Sequence, residues 1–374
     1  MNGSIRIGNL FGIPFYVNPS WFLVLGLVTW ECGNLLAAQF PYMGGIAPLL
    51  LGFVGALLLF ASVLAHELGH SFVAIRQGIE VKSITLFLFG GLASLEKESQ
   101  TPGQAFWIAI AGPAVSLMLF ALFTAIGVGT SLSGPLAAMV GILAYINLML
   151  ALFNLIPGLP LDGGNILKSL VWKITSNPYK GVVFASRVGQ FVGWIAIAVG
   201  LLSILGISNI GSFWTLLIGL FLLQNAGRSA QSATMQETLT VLKAEDAVIP
   251  NSPIVSADLS LREFANEYII GKDQWRKFFV TDEEGQLLGA IVVDDLKTIP
   301  TSNWPATQVR ELMQQVDLST TVQSDQSLLE VITLLEKEKL TLLPVVRENG
   351  VFVGLLEKAS IIRLLEKRAQ AKPA

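Results

Sequence analysis

The sequence predicts a polytopic α-helical membrane domain with short β-strands near the cytoplasmic interface, followed by a soluble α/β domain. Three observations carry that prediction. Apolar residues make up 52% of the 374-residue chain and charged residues only 14%, against about 25% charged in an average soluble protein. The charges are unevenly placed. Residues 229–374 hold 15 Lys and Arg and 21 Asp and Glu, a net of −6, whereas residues 1–228 hold 9 and 6, a net of +3. The N-terminal part contains apolar runs of the roughly 20 residues needed to cross a bilayer, and the C-terminal part repeats itself. The expected boundaries are 1–228 for the membrane domain, 229–247 for a linker, and 248–300 and 305–368 for the two repeats.

Six spans are predicted, at about 20–38, 47–75, 104–129, 136–157, 188–206 and 212–226. A short apolar, re-entrant piece, Asn165–Trp172, follows the fourth. With six spans, Arg6, Arg76, Lys82, Lys97, Lys168, Lys173, Lys180, Arg187 and Arg228 all fall on one side, and the opposite loops hold no Lys or Arg. The positive-inside rule puts that side, both termini and the soluble domain in the cytoplasm, with a bacterial plasma membrane as the default. Residues 4–17 and Ile79–Leu95 have strand character, the latter running into Phe89-Gly-Gly-Leu92. Strand edges are not tolerated in lipid, so these segments are expected to pair with each other near the cytoplasmic interface.

The single cysteine, Cys32, excludes an internal disulfide and any cysteine zinc cage, and reads as a small buried side chain. Residues 1–19 lack a cleavable-signal pattern. Neither half has the dense basic face of a nucleic-acid binder.

Both histidines of the chain lie in one pentapeptide, His66-Glu67-Leu68-Gly69-His70, inside the second span. On a helix, positions i and i+4 share a face, so both imidazoles can reach one metal ion. Glu67 lies beside them and can act as base to an activated water. A catalytic zinc site takes three protein ligands, and no third histidine exists. The acidic residues within the apolar half, away from its flanks, are Glu31, Glu67 and Asp162. Glu31 falls near the far end of span one, too distant in depth. Asp162 ends Asn154-Leu-Ile-Pro-Gly-Leu-Pro-Leu-Asp162, where prolines and glycines break the fourth helix. Broken helices at membrane depth line cavities or are protein-buried, and a carboxylate there marks a functional site. His66, His70 and Asp162 are therefore the candidate ligands. Asp162 could instead cap the next helix. Asn147 and Asn154, seven residues apart, share a helical face and either bond neighbouring helices or face the site. Ala111-Gly-Pro113 reads as close helix packing.

These residues resemble the site-2 protease family of intramembrane zinc metalloproteases. The resemblance rests on His66–His70, Phe89-Gly-Gly91, Ala111-Gly-Pro113 and the motif Asn154-x-x-Pro157-x-x-x-x-Asp162-Gly163. It implies one zinc ion held by His66, His70 and Asp162, with Glu67 catalytic, and Asn154 and Pro157 holding substrate near the metal. The implied substrates are single-span membrane proteins, for example anti-sigma-type regulators.

The soluble part contains two similar halves. Pro253–Leu261, a helix to Ile270, and Phe278–Gly289 are matched by Leu318–Leu328, a helix to about Lys337, and Leu343–Gly354. Asp258 matches Asp325, Gly285 matches Gly350 and Gly289 matches Gly354. Each half reads strand–helix–strand–turn–strand–helix, and residues 229–240 read as a polar linker. The pattern resembles a pair of CBS modules, as in the prokaryotic site-2 proteases that carry them. That resemblance implies dimerisation, regulation and an adenine nucleotide in the cleft, with Asp295 at the ligand motif's aspartate. The motif departs from the family at Val292, where a hydroxyl is usual, and at Glu357 and Ser360 in the second half. The expected function is intramembrane zinc endopeptidase; a CBS-gated transporter or an inactive scaffold is the alternative.

Overall fold

Helices in this chain start where proline and short polar caps allow. A computed structural model describes residues 3–87, 90–271, 275–315 and 321–371. Five of its helices are long and apolar enough to cross a bilayer: α1 (Pro19–Gln39), α2 (Ala47–Arg76), α3 (Pro102–Gly129), α4 (Gly134–Asn154) and α6 (Pro178–Ile204). Each has proline in its first two positions, where the missing N–H removes nothing from the helix ladder. Asn18, Thr101 and Asn177 cap α1, α3 and α6 by accepting from backbone N–H groups. The outward faces are apolar: Leu23, Leu27 and Trp30 on α1 and Trp194 and Ile195 on α6 are exposed. α2 packs on α1, α3 and α4.

α5 (Asp162–Thr175) is the short helix expected after the fourth span, and it packs on α3 and α6. The break before it, residues 155–161, has its backbone satisfied by protein: Leu159 N–H donates to Ala185 O at 3.1 Å on α6. A Cβ on Gly158 would come within 2.6 Å of Gly189 Cα, so glycine lets the broken segment lie against α6. The predicted sixth segment, 212–226, forms the beginning of α7 (Phe213–Val241). Its apolar run stops at Gln224 and Asn225, and it is shorter than the other five. α7 continues through residues 229–240, so the expected linker is helical there. That stretch has no Gly or Pro to end a helix.

The expected strands form one four-stranded sheet in the order β1 (Ile5–Leu10), β2 (Ile13–Val17), β3 (Val81–Phe87), β4 (Gly90–Leu95). β1 and β2 are joined at Phe11-Gly12, both at positive φ, as two-residue hairpins require. β2 pairs with β3 in parallel, Phe15 opposite Ile84, and β3 with β4 antiparallel. Ile79–Leu95 thus contains two antiparallel strands and not one. Leu88 and Phe89, the latter part of the resemblance motif, lie outside the described residues.

Residues 235–374 form a second compact unit. Its first half contains β5 (Ile254–Ser256), α8 (Leu261–Phe264) continuing as a π turn to Ile269, β6 (Lys277–Thr281) and β7 (Leu287–Val292). α9 (Val309–Leu312) leads into the second half: β8 (Val322–Gln323), α10 (Leu328–Lys337), β9 (Leu342–Val346), β10 (Phe352–Glu357) and α11 (Lys358–Ala371). Both halves have the same sheet, a parallel pair followed by an antiparallel pair. Leu318, predicted to open the second half, lies outside the described residues. The halves interlock. Leu242, Ala244 and Ala247, ahead of the first half, pack in the core of the second, and Val309, ahead of the second, packs in the core of the first. Phe279 and Phe352 stack at 5.4 Å between the two sheets.

Candidate metal centre

One turn of α2 brings the two imidazoles together. His66 Nε2 and His70 Nε2 are 3.3 Å apart. Asp162 is the first residue of α5, whose cap residue is Leu161 with no side-chain cap bond. Its carboxylate is therefore not spent on capping, and Asp162 Oδ2 lies 3.1 Å from His66 Nε2 and 3.3 Å from His70 Nε2. Three ligands at zinc distances of about 2.0–2.1 Å and tetrahedral angles would stand about 3.3 Å apart, so these three atoms form the face of a tetrahedron that zinc fits. Glu31 is exposed and takes no part in the cluster.

The outer partners orient the ring nitrogens. His70 Nδ1–H donates to Ile108 O at 2.6 Å, which leaves Nε2 as the lone-pair nitrogen. His66 Nδ1 lies 2.9 Å from Ser116 Oγ, and the tautomer that donates there also turns a lone pair to the cluster. Ile108 and Ser116 flank Ala111-Gly-Pro113 on α3. That tripeptide does more than pack helices. A Cβ on Gly112 would fall 2.6 Å from His66 Nε2 and closer still to His70 Nε2, so glycine leaves open the space an ion needs. Glu67 faces β4, where its carboxylate accepts from the Ala93 backbone. Gly91 makes that approach possible, since a Cβ there would be 2.9 Å from Glu67 Oε1.

A cavity of about 420 Å³ joins these groups. His66, Glu67, His70 and Asp162 line it, as does Asn154. Pro157 is exposed and is not among the lining residues; Pro160 takes a place there instead. Asn147 is fully buried and ties α4 to α2 by donating to Ser62 Oγ at 3.1 Å. In the C-terminal unit Asp295 accepts from Gln314 at 3.4 Å, Glu357 pairs with Arg363 at 2.7 Å, and Ser360 closes the first turn of α11 by donating to Glu357 O. The sequence by itself assigns the supporting residues Gly91, Ile108, Gly112 and Ser116 no role at the metal. A glycine and a polar residue in α3 were the available signals.

The pattern of Peptidase family M50 matches residues 54–138 and 129–199, which include every residue of the cluster and its supports. A Synechocystis sp. protein named "Putative zinc metalloprotease" is 62% identical, over 99% of this chain and 97% of its own length. The chain belongs to peptidase family M50, the site-2 proteases. A Mycobacterium tuberculosis protein named "Putative zinc metalloprotease Rip3" is 30% identical over the whole of this chain and 95% of its own. A solved site-2 protease from Methanocaldococcus jannaschii is 29% identical, with a TM-score of 0.45, over 61% of this chain and 95% of that one. The CBS domain pattern matches residues 309–367 of this M50 peptidase; the first repeat lies outside that match and shares the second's topology. With its five apolar helices, the protein is an integral membrane protein.

Proposed function

We propose that this protein is a zinc endopeptidase that cleaves the transmembrane segments of single-span proteins, such as membrane-tethered regulators of the anti-sigma type. The observation that carries the reading is the convergence of His66, His70 and Asp162 within 4.8 Å of one another beside Glu67 in one cavity. His66, His70 and Asp162 hold the ion. Zinc, when bound, supplies a Lewis acid that polarises a carbonyl and brings the pKa of a water near neutrality. Glu67 takes the proton of the attacking water and later delivers it to the leaving amine. Asn154, on the cavity wall, holds substrate. Pro157, in the broken segment, is the second candidate for holding substrate. β4 ends its sheet and can take up an unwound substrate as an added strand.

In this reading the beginning of α7 is the sixth span, which leaves both termini, the four-stranded sheet and the CBS pair on the cytoplasmic side of a bacterial plasma membrane. The basic residues favour that orientation. Residues 1–228 are the protease domain, 229–247 join it to the tail, and 248–300 and 305–368 are the two CBS modules. The pair regulates or dimerises the enzyme. The second module has a cavity of about 210 Å³ lined by Ser360, Arg363 and Lys367 and by the carboxylate of Asp246; an adenine nucleotide at the pair, with Asp295 as a candidate contact, is part of the same reading.

The test is cleavage of a panel of single-span substrates by the full chain in detergent, with zinc content measured in parallel. Wild type is expected to cleave at least one, to stop when a chelator removes the zinc, and to recover on zinc addition. Zinc-loaded protein that transports a solute and cleaves nothing supports the transporter instead. Ser116→Ala is expected to weaken zinc binding about 10–100-fold through the loss of the His66 partner, measured by competition against a metal indicator.

A further inference from the structure

The cavity does not end at the metal cluster. Asp162, Asn165 and Lys168 of α5 all line it, three residues apart, so one stripe of the helix leads outward from the cluster. At 1.5 Å per residue, Lys168 lies about 9 Å along α5 from Asp162. β4 also lines the cavity, through Gly90–Ala93 and Leu95. β4 is the last strand of its sheet among the described residues. Among the described residues Lys168 enters none of the ion pairs, yet it is half-buried on the cavity wall. Glu98 also lines the cavity and is exposed.

We infer that Lys168 is a specificity residue that binds an acidic side chain of the substrate about three residues from the scissile peptide. The inference rests on the proteolytic function proposed above. An extended peptide advances about 3.3 Å per residue, so 9 Å corresponds to about three residues. Successive side chains of such a peptide point to opposite faces, so only alternate residues of the substrate can face Lys168. The half-buried lysine gains most from an opposite charge, since solvent screens it less than the exposed Glu98.

The test takes a substrate that wild type cleaves, with its cleavage site mapped by mass spectrometry. One Asp, and separately one Lys, is walked through the five positions on each side of that site. Wild type is expected to prefer Asp over Lys about fivefold in kcat/KM, the size of a partly exposed ion pair, at one position about three residues from the cut. Lys168→Glu is expected to reverse that preference at the same position. Lys168→Met, which keeps the apolar stem, is expected to abolish it, and equal zinc content in all three proteins shows that each is folded. Wild type that cleaves with no such position, or a preference that survives in both variants, overturns the role of Lys168 alone. No cleavage of any substrate by zinc-loaded wild type overturns the protease reading itself.

Discussion

Glu67→Gln is expected to lower cleavage about 10²–10⁴-fold, the usual contribution of a positioned general base, and to leave zinc bound. The side chain keeps its length and volume, and an amide oxygen can still accept from the Ala93 backbone as the carboxylate does. Gly91 leaves the same room for either group. What disappears is the capacity to take a proton from the attacking water and hand it to the leaving nitrogen. Metal content, measured on the same preparation, separates the two roles a carboxylate can have here. Full zinc with no cleavage makes Glu67 the base. Loss of zinc would make it a ligand, and unchanged cleavage would assign proton transfer to another group.

The second large effect is expected at a residue with no chemistry of its own. Gly112→Ala places a methyl 2.6 Å from His66 Nε2 and closer to His70 Nε2, in the space between α3 and the two imidazoles. The rings cannot keep their convergence with Asp162 and also accommodate it. They are held on their far sides by Ser116 and Ile108. Zinc binding is expected to fall by up to about 100-fold, as when a ligand's supporting contact is lost, and cleavage with it. Gly103→Ala on the same helix is the control. A Cβ there meets nothing within 4 Å, so it is expected to keep zinc and to gain slightly in stability, by up to about 1 kcal/mol from helix propensity. If Gly112→Ala binds zinc as wild type does, the space it guards is not the metal's.

The two imidazoles were legible because their relation is local: four residues on one helix make one face, whatever surrounds it. The apolar runs and the repeat of the tail were legible for the same kind of reason, since periodicity and composition are properties of short windows. Asp162 is 96 residues from His66, and it stood out because a charge at membrane depth is costly and a broken apolar helix keeps one only where it has a partner or an ion to hold. Residues 229–240 depart from the expected linker because polar composition alone does not end a helix; without glycine or proline the stretch simply prolongs α7. Asn147 and Asn154 share a face but have different roles, one tying α4 to α2 and the other lining the cavity. Only packing separates them.

By itself, then, the sequence determined the membrane class, the helical pair of histidines, the carboxylate that joins them and the doubled tail. The tertiary structure alone decided which groups serve that centre. Gly112 and Ser116 matter because α3 crosses α2 at the histidines, Gly91 because β4 passes over Glu67, and Lys168 because α5 forms the wall of the same cavity. Each of these contacts joins residues far apart in the chain. The physical reason is that a glycine's missing methyl or a serine's hydroxyl acquires a function only from what packs against it, and one chain's local pattern does not contain that information.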